Sequence, residues 1–360
     1  MVSQSSILSP DEPAFETLCL RLSERADALD AEGAWPAEQL ELCRRQGVFG
    51  WFVPPEWGGQ GWEEERLLRA FMRLGGACLA TAFVLTQPLG ACRRIAASEN
   101  DDLKARLLPS LARGDKFASV GISHLTTSRR HLARPMMTAR EESGGFVLDG
   151  TIPWVTGGPH ADYIVTGAAC EDGRQILAVL PTDLPGVTSQ EPARLVGLTS
   201  THTGEVRCES VELGAEWLLA GPVENVLALG KGAGTAGLLT SALALGLAGA
   251  AIAFLGQESA KRPELAPAAE SLRAEHAEIE AELLAIATGQ TDCSAESLRS
   301  RANSLALRSS QAALTAAKGS GYVVGHPAGR WCREALFFLV WSCPQPVMAA
   351  ALCELAGLSD

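Results

Sequence analysis

The 360-residue chain has no CxxC pair, no basic stretch and no long run of large apolar side chains, and each gap removes a class of function. Its ten cysteines, at positions 19, 43, 78, 92, 170, 208, 293, 332, 343 and 353, are scattered. Such scatter suits small buried thiols in a reducing cytoplasm and offers neither a disulfide framework nor structural zinc. Thirty Lys and Arg against 42 Asp and Glu leave a net charge of −12 in short mixed clusters, so nucleic acid is not an expected partner. Residues 1–13 lack the basic residue and apolar run of a secretory signal. From Gly232 to Gly256, 25 residues carry no charge, which is long enough to cross a bilayer. The stretch is built largely from Ala, Gly, Thr and Ser, however, and a helix buried on all sides of a bundle looks the same, so no membrane span is expected.

What is present describes a globular chain. At 47% hydrophobic and 20% charged, its length calls for two or three cores. Residues 1–113 read as helical: Glu38–Gln46, Glu63–Leu74 and Asp102–Leu111 carry apolar residues at three- and four-residue spacing. Between the first two, Val53 to Gly61 holds two prolines and three glycines and must be a loop. Residues 114–221 change to short β-like runs, Phe146–Leu148 before Asp149-Gly150, Tyr163–Val165, Ile176–Leu180 and Val206–Leu213, bounded by Gly, Pro or Asp. A β-sandwich or barrel is the expectation there. Residues 222–360 are Ala- and Leu-rich, with helices expected at about 226–259, 264–288, 295–317, 329–341 and 346–356. The fold class is therefore α+β and multidomain: an N-terminal helical domain, a central β domain and a C-terminal four-helix bundle with a short tail helix.

Four local motifs sit on this frame. Val53 to Gly61 resembles the "P-E-x-x-G-G-x-G" loop of acyl-CoA dehydrogenases, and Leu107 to Gly114 resembles the "yLP-x-LA-x-G" element that closes their helical domain. Gly145 to Gly158 is similar to their "Gy-x-LnG-x-K-x-W-I-T-n" hairpin, and Lys318 to Ala335 follows their "GG-x-Gy" to "R-D-A" segment without a gap. The resemblance runs in order over nearly the whole chain. It implies FAD held between the β domain and the bundle, an acyl-CoA or other acyl thioester substrate, an electron-transfer flavoprotein as acceptor, and a homodimer or homotetramer. It also implies a carboxylate that removes an α-proton while hydride passes to the flavin.

Carried over residue by residue, the resemblance gives Trp154 the flavin-packing role and Thr156 the bond near flavin N5. A flat indole on a rigid strand can shield a flavin, and a hydroxyl two residues on points to the same side of the strand; the plain alternative is a core Trp and a turn Thr. Ser128 agrees with the flavin and thioester loop "T-E-P-x-a-G-S-D", but Ile122, Ser123, His124 and Thr127 replace other members of it. Ser123 and His124 read equally as an altered substrate edge or as a well-bonded strand end. Arg262 matches an arginine that meets the FAD pyrophosphate of a partner subunit, and Gly319 and Gly321 match the glycines that allow close backbone approach. Leu265 and Thr315 depart from the usual Phe and Gln. The two positions where the family places its base hold Ser342 and Ala236, neither a carboxylate, so the catalytic group is unassigned. His124, His131, His160 and His202 cluster in the β region without metal-ligand spacing and read as polar or core histidines. Two further readings stand beside the dehydrogenase: a flavin-dependent monooxygenase or oxidase of the same fold, and a non-catalytic scaffold or binding member that has lost flavin chemistry.

Overall fold

The computed structural model describes residues 6–126, 135–229, 236–291, 293–341 and 343–358. The N-terminal helices are α1 (Pro13–Glu32), α2 (Ala37–Arg45), α3 (Glu64–Ala77), α4 (Leu79–Ala96) and α5 (Asp101–Ala112). In α1, Phe15, Leu18, Leu22, Ala26 and Leu29 recur at helical spacing and are buried. The helix stops at Gly33, whose φ of 65° is left-handed and whose N–H returns to Leu29 O. Asn100 caps α5 by accepting from the Leu103 N–H at 3.0 Å. The Pro-Gly segment is a loop with a short 3-10 turn, Pro55–Trp57. Gly59 is required in it, because a Cβ there would lie 1.9 Å from Val53 O.

The β region is one eight-stranded mixed sheet. Its strands are β1 (Ala118–Gly121), β2 (Met137–Glu142), β3 (Gly145–Val155), β4 (Tyr163–Ala169), β5 (Gln175–Pro181), β6 (Val187–Ser189), β7 (Gly204–Gly214) and β8 (Leu218–Val223). The order is β6-β7-β3-β2-β4-β5-β8, with β1 parallel to β4. The ends β6 and β8 do not pair among the described residues, and β2 joins β4 at one pair alone, Thr138 with Ala169, so the groups β6-β7-β3-β2 and β1-β4-β5-β8 enclose a shared core of Phe146, Leu148, Ile152, Ile164, Val206 and neighbours, in keeping with the expected β module. Asp149-Gly150 does not end a strand as the pattern suggested. Gly150 continues β3 at φ 132° where the register with β7 shifts, and a Cβ would lie 2.1 Å from Met136 O.

The C-terminal helices are α7 (Ala236–Lys261), α8 (Ala266–Ala287), α9 (Ala295–Ala317), α10 (Pro327–Ala335) and α11 (Gln345–Ala356). Two expected helices are shorter than their patterns. Val226–Leu229 is a separate 3-10 turn before α7, and α10 gives way to a 3-10 turn at Leu336–Leu339. Leu238–Lys261 is long and apolar enough to cross a membrane, but 72% of its apolar window is buried. Its small residues do the packing: a Cβ on Gly246 would meet Met72 O at 2.2 Å, and one on Gly76 would meet Gly246 O at 2.9 Å. Through this α3–α7 contact the N-terminal helices and the bundle share one continuous core.

Candidate functional site

The hairpin strand β3 carries Trp154 to the surface and buries Thr156 just beyond its end. Trp154 is 50% exposed, whereas Thr156 is 5% exposed. The two do not share a side as the two-residue spacing suggested. The register of β3 with β7 shifts between Ile152 and Val155, and the strand stops at Val155, so the alternation is lost. Thr156 Oγ1 lies 2.9 Å from Thr203 Oγ1, which lies 2.8 Å from Thr201 Oγ1, a chain of buried hydroxyls under the hairpin. Ser119 on β1 donates to Thr156 O at 2.6 Å.

Beside this strand, β1 ends at Gly121 and Ser123–Thr126 forms α6, a single helical turn that packs against β3. Gly121 is needed for the approach, since a Cβ would meet Ile152 at 2.4 Å. Ile122 packs on the large core. His124 is 9% exposed, and its Nε2 lies 2.8 Å from Gly167 O on β4. A carbonyl only accepts, so Nε2 carries the hydrogen and Nδ1 is a bare acceptor. Burial lowers the His124 pKa below the usual histidine value and keeps the ring neutral. His124 Nδ1 and Ser123 Oγ are buried without any hydrogen-bond partner. The turn is therefore not the well-bonded strand end that was one of its two readings. Ser128 and His131 lie outside the described residues.

The other histidines of the region are occupied. His202 Nε2 donates to Gly33 O at 3.2 Å, which leaves its Nδ1 to accept from His160 Nε2–H at 2.9 Å. His160 stacks on Trp35 with centroids 4.1 Å apart, and Gly157 must be glycine because a Cβ would meet Trp35 at 2.6 Å. These rings fasten the α1–α2 connection to the end of the Trp154 hairpin. No group of three or more His, Cys, Asp and Glu suited to a metal occurs among the described residues.

Arg262, Gly319 and Gly321 form a second group at the far end of the bundle. Arg262 follows α7, whose 26 residues span about 39 Å. Its Nη2 donates to Glu258 at 2.7 Å and to Ala316 O at 2.6 Å, which caps the end of α9. Thr315 turns its hydroxyl back to Gln311 O. Gly319 has open space around it, whereas a Cβ on Gly321 would meet Ala317 at 2.6 Å.

Of the two base positions, Ala236 begins α7 and Ser342 lies outside the described residues. The segment leading to Ser342 is fixed by aromatics. Phe337 and Trp341 stack at 5.2 Å and 15°, and Phe83 of α4 meets both edge-on, at 4.8 and 4.7 Å. From α9, Asn303 donates to Phe338 O at 3.0 Å and Arg299 donates to Trp341 O. Glu334, the carboxylate upstream, is 2% exposed and paired with Arg330 at 3.1 Å. Arg330 in turn reaches Asp27 of α1 at 2.7 Å, and Arg333 pairs with Asp30. Sequence reasoning did not find this joint, because no spacing rule links residues 27 and 330.

Residues 15–115 match the family model "Acyl-CoA dehydrogenase, N-terminal domain". Over 238 residues, 64% of this chain and 62% of its relative, the sequence is 25% identical to a probable acyl-CoA dehydrogenase of Bacillus subtilis. It is 24% identical over 207 residues, 55% of this chain and 52% of its relative, to a glutaryl-CoA dehydrogenase of Desulfococcus multivorans. The fold superposes on a glutaryl-coenzyme A dehydrogenase in its glutaryl-CoA complex with a TM-score of 0.82 and 18% identity, covering 97% of this chain and 96% of the other. In its N-terminal residues and in its fold the chain is similar to acyl-CoA dehydrogenases. It spans less than two thirds of the length of these sequence relatives. The fold also matches that of a prolyl acyl carrier protein oxidase, with a TM-score of 0.80 and 18% identity over 96% of this chain and all of that one. Helical domain, mixed sheet and helical bundle thus match the fold of solved acyl-CoA dehydrogenases.

Proposed function

We propose that this chain is a flavin-dependent oxidoreductase of the acyl-CoA dehydrogenase type, acting on an acyl thioester or a related acid. The observation that carries this reading is the exposed indole of Trp154 on β3, the strand that packs against a turn whose two buried polar atoms lack partners. A flat exposed aromatic and orphaned polar atoms on neighbouring elements fit a flat, partly polar heterocycle, since orphaned buried groups cost free energy until a ligand satisfies them. FAD, the cofactor typical of the family, would supply hydride acceptance. Trp154 would shield its ring, Thr156 would present a hydroxyl already held by Thr203, and Ser128 would complete the loop. Arg262, Gly319 and Gly321 stand at the other end of α7, a placement that suits cofactor contact with a neighbouring subunit in a homodimer or homotetramer. A cytoplasmic site of action fits the free cysteines, and an electron-transfer flavoprotein is the acceptor by family analogy.

A second reading has a specific observation behind it. Neither base position is a carboxylate, and Glu334 is committed to Arg330 and cannot serve instead. A flavin-dependent oxidase or oxygenase of the same fold, reacting with oxygen, has less need of that base. Purification decides between them. A yellow preparation that bleaches anaerobically with acyl-CoA esters supports the dehydrogenase, and oxygen consumption dependent on supplied reduced flavin supports the oxygenase. A colourless protein that gains no flavin spectrum with FAD defeats the dehydrogenase.

A further inference from the structure

We propose that His160 and His202 form a pH-operated clasp, which holds the α1–α2 connection against the end of the Trp154 strand while the pair carries at most one extra proton and lets it go when both rings are charged. The clasp is made of this chain's own bonds and stands apart from the flavin reading. Its parts come from three places in the sequence. Trp35, between α1 and α2, stacks on His160 with centroids 4.1 Å apart and planes at 15°. His160 closes the 3-10 turn Gly158–His160 that follows the hairpin, and His202 follows the turn Thr199–Thr201 ahead of β7. The His202 backbone is left-handed, with φ 45° and ψ 46°, a conformation that a residue with a Cβ adopts at a cost. Its two ring bonds, to Gly33 O and to His160 Nε2, offset that cost.

Proton counting gives the device its logic. Gly33 O only accepts, so the hydrogen of neutral His202 is on Nε2 and its Nδ1 accepts from His160 Nε2–H at 2.9 Å. A first added proton goes to His160 Nδ1, leaves that bond intact and places a cation over the Trp35 face. A second has only His202 Nδ1 to go to. It sets N–H against N–H across the same 2.9 Å, with like charges on neighbouring rings, and the bond is lost. The two rings therefore titrate as a unit. Burial lowers the His160 pKa below 6.5, and His202 adds to that. Around the clasp, Asp30 pairs with Arg333, Glu38 with Arg25, Lys116 with Asp162 and Glu205 with Arg207, while Glu32 and Arg194 are exposed, and none of these charges contributes to the His160 shift. With a lowered folded pKa, the open form takes the proton first, so the closed clasp is favoured above pH 6.5 and loses ground as pH falls. Opening reaches beyond the rings. Thr201 O accepts from Gly157 N–H at 3.0 Å, and Thr201 Oγ1 stands in the hydroxyl chain through Thr203 to Thr156. Release of His202 frees its neighbour Thr201, and acid loosens the end of the strand that carries Trp154.

Hydrogen exchange of the Gly157 amide in the full chain, followed by NMR from pH 8 to about 5 and divided by the intrinsic rate at each pH, tests this. Protection of Gly157 is expected to stay level down to pH 6.5 and then to fall, by up to about tenfold per pH unit, because the open form binds one proton more. His202→Asn keeps an acceptor near the Nδ1 position, suits the left-handed backbone and takes no proton. His160→Phe keeps an aromatic ring on Trp35 and likewise takes none. Both variants are expected to hold Gly157 protection level over the whole range. The Trp35 indole N–H resonance is expected to shift over the fall in the parent and to stay in place in both variants. Protection in the parent that does not change with pH overturns the proposal, as does a fall of the parent's size in either variant. A fall shared by the amides of the β4–β5 core, which is acid unfolding of the whole β region, overturns it as well.

Discussion

Two places in this chain bury polar side chains, and they do so in opposite ways. At the joint between α1 and α10, Arg330 is 5% exposed and Glu334 is 2% exposed, and each has a charged partner: Glu334 for Arg330, Asp27 for Arg330 again, and Asp30 for Arg333. At the α6 turn, His124 is buried and Ser123 is half-buried with its Oγ sealed from solvent, and His124 Nδ1 and Ser123 Oγ have no hydrogen-bond partner. Burial without partners is costly, about 1–3 kcal/mol per group. The first site spends its polar groups on holding the N-terminal helices to the bundle. The second leaves them unspent, which is what a binding site does and a structural joint does not.

Breaking the joint gives the largest expected effect. Arg330→Met strands Glu334 and Asp27, and removal of one partner of a buried pair costs about 3–5 kcal/mol. Urea denaturation of Arg330→Met and of the double variant Arg330→Met/Glu334→Leu measures it. The double variant is expected to regain most of the loss, because the fully buried carboxylate is then gone and only Asp27, a third exposed and open to water, is left without its partner. A single variant as stable as the parent would remove the joint as a contributor to stability.

The two sites also predict opposite responses to pH. Burial, with Asp30 and Asp27 adding to it, raises the Glu334 pKa from 4.5 to about 7 against the pull of Arg330. The folded state thus keeps a proton that the unfolded state releases. The stability this confers is fully present below about pH 4.5 and is lost as pH rises through about 7. His124 runs the other way. Its folded pKa is lowered from 6.5, so the unfolded state binds the proton first, and its contribution is present above pH 6.5 and lost as pH falls. Stability measured from pH 4.5 to 8 in Glu334→Gln and in His124→Gln separates them. Each variant is expected to lose its own slope, at most about 1.4 kcal/mol per pH unit, with opposite signs. Equal signs would contradict the assignment of one of the two groups.

Much of this was legible in the chain, and the exceptions have physical causes. The three-part order was readable because helical and strand periods differ and because proline and glycine mark the breaks, as at Val53 to Gly61. The Trp154 hairpin was recognisable, but the opposite burial of Trp154 and Thr156 was not. A register shift inside β3 is set by pairing with β7, a partner some fifty residues away that local alternation does not encode. The Asp149-Gly150 turn was misplaced for the same reason: a glycine at φ 132° serves a bulge as well as it serves a turn. The isolation of Ser123 and His124 was invisible, since a missing partner is a tertiary fact. A His at the usual Pro position was the only signal, and it left the turn undecided.

The smallest expected effect is also the sharpest comparison, because it sets one hydroxyl against another a few residues from the same hairpin. Thr203 Oγ1 is bonded on both sides, to Thr156 and to Thr201. Thr203→Val keeps the shape and removes the middle of the chain, leaving two buried hydroxyls to find new partners, at a cost of about 1–2 kcal/mol. Ser123 Oγ bonds to nothing. In the ligand-free protein, Ser123→Ala removes a desolvated hydroxyl at no cost in hydrogen bonds, so stability is expected to stay level or to rise by up to about 1 kcal/mol. Thermal unfolding of both variants, without and with added FAD, completes the test. The Ser123→Ala protein is expected to match or exceed its parent when free and to gain less than its parent when FAD is present. If instead it loses stability when free by as much as Thr203→Val does, Ser123 already has a partner within the fold, and the contrast between the spent and unspent polar groups disappears.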